Sequence, residues 1–123
     1  MILLDTSVWV GHLRNGDAGV ESLLNSGQVL CHSVVIGELA LGNLANRARL
    51  LGLLKALPAA VEASHAEVMA LVERRRLWGL GIGYGDAQLL AATHLTPDAR
   101  LWTRDRRLGE VARDQGIAAF SDG

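Results

Sequence analysis

Met1-Ile2-Leu3-Leu4-Asp5-Thr6-Ser7 is the stretch that decides the fold. Four apolar residues run into one acid and two hydroxyls. That pattern predicts a short, fully buried strand with Asp5 at its carboxyl end. In open α/β sheets this edge is where ligands collect. Asp5 by itself is equally suited to capping the next helix, so its meaning rests on which other acids the fold brings beside it.

The chain of 123 residues suits one compact domain over 1–123 with a single core. Half of it is apolar, with one Phe and one Tyr, so Leu, Val and Ala carry the packing. The net charge of −1 excludes bulk electrostatic binding of nucleic acid, and any basic surface must be local. The single Cys31 allows no internal disulfide and no thiolate zinc site, which fits a reducing, cytoplasmic setting. A signal peptide is not expected, because its apolar core would have to cross Asp5. The apolar run Val34 to Leu41 is too short to span a bilayer.

Beyond the first strand, helices are expected at Ser7 to Arg14, from the Asp17 cap to Gly27, and from a Ser33 cap through Val34 to Leu41. Others are expected at Arg47 to Leu57, from the Ser64-x-x-Glu67 capping box, at Gly85 to Leu95 and at Arg106 to Gln115. Further strands are expected at Gln28 to His32, Ala59 to Ala63, Arg100 to Thr103 and Ile117 to Phe120. Val68, Leu71, Val72 and Trp78 should face inward. Alternating strands and helices imply a mostly parallel sheet with helices on both faces. Gly79 to Gly85 lacks the spacing of a phosphate loop.

Four acids stand apart. Asp5 and Asp105 follow apolar strands, Asp86 opens an apolar helix, and Glu38 interrupts another. Capping accounts for each Asp taken singly. It does not account for Glu38, whose bland alternative is a buried pair with an Arg. Asp17, Glu62 and Glu67 read as solvated surface. If the four converge, they cannot all stay ionised without a cation. Oxygen ligands without Cys favour Mg²⁺ or Mn²⁺, which accept phosphate oxygens and activate water. No His is required, and His12, His32, His65 and His94 read as packing or surface residues.

Leu4-Asp5-Thr6-Ser7, Val35-Ile36-Gly37-Glu38-Leu39, Gly85-Asp86-Ala87-Gln88-Leu89-Leu90-Ala91-Ala92 and Leu101-Trp102-Thr103-Arg104-Asp105 together resemble the PIN-domain nucleases. Within them the chain looks like the VapC-type toxins of toxin–antitoxin pairs, from Met1 to about Phe120. The resemblance implies a three-layer α/β/α sandwich and Mg²⁺- or Mn²⁺-dependent cleavage of RNA. Asp5, Glu38, Asp86 and Asp105 match the family's acidic cluster, with Asp5 and Asp86 as principal metal ligands. Thr6, Ser7 and Thr103 match groups that orient these carboxylates. Asp105 matches the most variable of the four positions. The resemblance also implies a VapB-type antitoxin and a homodimer.

Arg14, Arg104 and Arg106 are candidates for gripping RNA phosphates, with Arg107 equally suited to a solvated face. Trp78 and Tyr84 are candidates for stacking on unpaired bases. Trp9, Leu13, Val20 and Leu24 are candidates for an apolar groove holding the antitoxin, with ordinary core the favoured alternative for each. The competing functional reading is a nonenzymatic PIN-like binding module. A receiver or phosphatase-like domain fits less well, because Thr6 and Ser7 occupy the positions of its second acid.

Overall fold

The structure, a computed structural model, describes residues 1–120. Ile2–Leu4 forms β1, Val29–Leu30 β2 and Arg100–Trp102 β3, all parallel in the order β2-β1-β3. The helices are α1 (Thr6–Asn15), α2 (Ala18–Asn25), α3 (Ser33–Ala40), α4 (Arg47–Ala56), α5 (His65–Arg75), α6 (Tyr84–Leu95) and α7 (Arg106–Asp114). They pack with the sheet as a PIN-like α/β sandwich.

β1 is central, and all three of its residues are apolar. Leu3 and Leu4 are fully buried, beside Val29 and Leu30 of β2 and Leu101 of β3. Burying each such side chain is worth about 2 kcal/mol. The backbone of Asp5 extends the ladder, its N–H bonding to Trp102 O at 2.9 Å. This brings the ends of β1 and β3 level, with Asp5 beside Thr103.

The strands expected at 59–63 and 117–120 contract to single parallel bridges, Cys31 with Ala59 and Leu101 with Ala118. At the first, the ladder ends because the Val61 N–H donates to the Thr96 hydroxyl at 2.9 Å. Gln28 to His32 likewise shortens to β2 plus the Cys31 bridge. The expected Asp17 cap and Ser64 capping box both form.

Two expectations are corrected. Ser33 is not the cap of α3: His32 is, its Nδ1 accepting from the Val34 N–H at 3.0 Å, while Ser33 donates to Glu62. Trp78 is 60% exposed. α5 ends at Arg75, Arg76 turns left-handed at φ 53°, and Leu77 takes the inward position. Trp9 and Val20 are core, so of the four groove candidates only Leu13 is exposed and Leu24 half-buried. No helix among the described residues is long and apolar enough to cross a membrane.

Candidate active site

Asp5 is delivered by the end of β1 and is 6% exposed. It occupies the cap position of α1, yet its carboxylate makes no capping bond. Oδ2 instead accepts from the Ser7 and Thr103 hydroxyls, each at 2.7 Å. Thr103 Oγ1 also accepts from the Asp105 N–H, and Ser7 Oγ from the Arg104 N–H, both at 3.0 Å. The β3–α7 connection is thus tied to the acid that ends β1.

Glu38 lies on the exposed side of α3, which removes its bland alternative of a buried pair with an Arg. Its Oε1 accepts from Thr6 Oγ1 at 2.6 Å, holding α3 to the start of α1. Asp86, in the first turn of α6, accepts from the Gly83 N–H at 3.0 Å through Oδ2. Asp105 caps α7, its Oδ1 accepting from the Leu108 N–H at 2.9 Å. For Asp86 and Asp105 the capping role is therefore real.

In each of the four acids one oxygen is held by a protein donor, and the other makes no hydrogen bond with a described residue. None is in an ion pair with a described residue. Burial pushes the Asp86 carboxyl above its ordinary range, and the charges of Asp5, Asp105 and Glu38 push the same way, against the Gly83 bond. Among the described residues, the charges that bear on Asp86 are those of the three other acids, with no cation opposing them.

The four acids offer only oxygen donors, with neither His nor Cys among them. Among the described residues no group of three His, Cys, Asp or Glu is placed to hold a metal ion. An open set of carboxylates fits an ion that retains several waters, as Mg²⁺ does.

Gly85 was not singled out by the sequence, yet it sets the spacing. A Cβ there would lie 3.3 Å from Val34 Cγ1 and 3.9 Å from Glu38 Oε2. A side chain there would require Val34 to give way by a few tenths of an ångström at the crossing of α3 and α6. No local pattern signals this, because the contact exists only where α3 and α6 cross.

The arginines separate. Arg104 is paired with Asp17, and its guanidinium lies 5.4 Å from the centre of the Trp102 ring. Asp17, expected as solvated surface, is held low by the Val20 N–H bond first and by Arg104 second. Arg14 is exposed. Arg106 is exposed and reaches Glu110 at 3.4 Å. Arg107 packs onto Gly81, in the loop leading to Asp86. Tyr84 is 46% exposed, two residues before Asp86, and its hydroxyl meets His65 Nδ1 at 2.6 Å.

The PIN domain family matches residues 2–114. Ribonuclease VapC32, in two strains of Mycobacterium tuberculosis, is 49% identical over 118 residues, which are 96% of this chain and 95% of the relative. With parallel β1 and β3 carrying Asp5 and Thr103 to the same sheet edge, and a family match along nearly its whole length, the chain belongs to the PIN-domain family.

Proposed function

We propose that this protein is a VapC-type endoribonuclease toxin, with 1–123 forming one nuclease domain. The observation that carries this reading is the raised Asp86, opposed by three further carboxylates and by no cation. The likeness to Ribonuclease VapC32 supports RNA as the substrate.

Asp5 and Asp86 would hold Mg²⁺ or Mn²⁺, with Glu38 and Asp105 completing the site directly or through water. When bound, such an ion lowers the pKa of water and stabilises charge on phosphate oxygens. The residues of the chain supply orientation. Ser7 and Thr103 fix Asp5 and leave its Oδ1 free, Thr6 fixes Glu38, and the Gly83 N–H fixes Asp86. Ser7 is no nucleophile, because its hydroxyl is spent on Asp5 and no His stands beside it. Arg14 and Arg106, both exposed, would meet RNA phosphates. Arg104 serves chiefly to hold the β3–α7 connection against Asp17.

RNA as substrate assigns the activity to the cytoplasm. A VapB-type antitoxin and a homodimer complete the reading, supported by family resemblance. Cleavage sites in cellular RNA, mapped by primer extension with and without Mg²⁺, test it. Wild type should cut at discrete sites only with the metal, and Asp86→Ala should cut nowhere. Equal cutting by that variant removes the enzymatic reading. Calorimetry should show Mg²⁺ or Mn²⁺ binding that Asp5→Ala abolishes.

A further inference from the structure

Beside the acidic hollow lies a cavity of about 560 Å³, within the range that accepts a small ligand. Its walls are the end of β3, the first three turns of α7, and the Ala118–Phe120 segment. Of the four acids only Asp105 borders it, so the cavity adjoins the hollow through that residue.

The lining includes two aromatic rings and three arginines. Trp102 and Phe120 meet edge to face with centroids 4.9 Å apart, and Phe120 is 50% exposed. An exposed Phe ring propped by a second ring is a stacking surface. Arg113 forms no ion pair or side-chain hydrogen bond with a described residue. Its guanidinium lies back along α7, where a Cβ on Gly109 would come within 3.4 Å of Nη1. The missing side chain at Gly109 keeps the cavity open. The other charges at this wall are already engaged: Arg104 with Asp17, Arg106 with Glu110, and Asp105 with the Leu108 N–H.

We propose that this cavity is a nucleotide subsite, holding one nucleotide of the RNA next to the phosphodiester that is cut, with its base on Phe120 and Trp102 and its phosphate on Arg113. The inference rests on the ribonuclease reading for its substrate, and on the cavity alone for its chemistry. An exposed ring face beside a guanidinium that meets no described partner suits a base and a phosphate together. Repulsion from Asp105 sets the phosphate toward Arg113. Phe120 and Arg113 are thereby RNA-binding residues outside the acidic cluster.

Titration of the intact protein with AMP, GMP, CMP and UMP, followed by ¹⁵N NMR, is the test. At least one nucleotide should shift the signals of Trp102, Gly109 and Arg113 saturably. Arg113→Gln and Phe120→Ala should each weaken that binding by about tenfold. Gly109→Leu, which fills the cavity, should abolish it. In RNA cleavage, Arg113→Gln should raise KM by about tenfold and leave kcat within about twofold. Absence of saturable shifts with all four nucleotides overturns the proposal, as does unchanged affinity in Arg113→Gln. If wild type cuts no RNA but the nucleotide shifts persist and vanish in Gly109→Leu, the subsite stands and the nuclease reading falls.

Discussion

Thr103 Oγ1 donates to Asp5 Oδ2 at 2.7 Å, joining two residues 98 positions apart. The same oxygen accepts from the Asp105 N–H, so one hydroxyl ties two of the four acids together. Thr103→Val keeps the shape and removes both bonds. It should lower RNA cleavage by about tenfold, the scale of lost orientation behind a metal ligand. Stability should drop by about 1–2 kcal/mol in chemical denaturation. Thr103→Ser should restore most of both. Full activity in the Val variant would show that Asp5 needs no such tether.

Asp86 carries charge at a cost in the metal-free protein. Its folded pKa is raised, by burial first and by Asp5, Asp105 and Glu38 after it. A carboxyl with a raised folded pKa binds its proton more tightly folded than unfolded, so its contribution to stability falls as pH rises through the acid range and stays lost above it. Asp86→Asn should therefore leave the metal-free protein at least as stable as wild type at pH 7, while abolishing cleavage. Added Mg²⁺ should raise the wild-type Tm at pH 7 and leave that of Asp86→Asn nearly unmoved. Thermal melts with EDTA and with Mg²⁺ decide the matter.

His32 works in the opposite direction. Burial pushes its pKa below the ordinary value, against a weaker pull from Glu62 at 3.9 Å. With the folded pKa below the unfolded one, stability is full above about pH 6.5 and is lost as pH falls through that window. Protonation also removes the Nδ1 lone pair that caps α3. His32→Asn retains a capping acceptor and cannot titrate. Urea unfolding should show stability declining from pH 7 to 5 in wild type, with a shallower decline in the variant. Parallel profiles would refute the assignment.

Gly81 sits at φ 78°, and a Cβ there would fall on the Arg107 side chain. Gly81→Ala should cost about 1–2 kcal/mol from backbone conformation alone. The displaced loop carries Gly83, whose N–H holds Asp86, so cleavage should fall as well. Adding Arg107→Ala should relieve the steric part and leave the backbone part. Comparing unfolding and cleavage in single and double variants separates the two. A Gly81→Ala protein with wild-type stability and activity would rule out a role for this contact.

Periodicity, caps and buried runs are local, so the sequence by itself determined the parallel α/β plan, most of the helices and the short list of acids. Asp5, Asp86 and Asp105 each end or begin an element, and that much is written in the order of residues. What those acids do depends on distance through space. Only the tertiary structure decided that Asp5 spends its bonds on Ser7 and Thr103 instead of capping α1. It also placed Glu38 exposed beside Thr6, and engaged Arg104 with Asp17. The outer strands shrank to bridges because the Thr96 hydroxyl, 35 positions away, takes the N–H that would have continued one of them. Trp78 left the core because the chain turned left-handed at Arg76, which no apolar count reveals. Gly85 matters only because α3 crosses it. Spacing along a chain selects elements, whereas the pairing of polar groups is settled by whichever partners packing brings within reach.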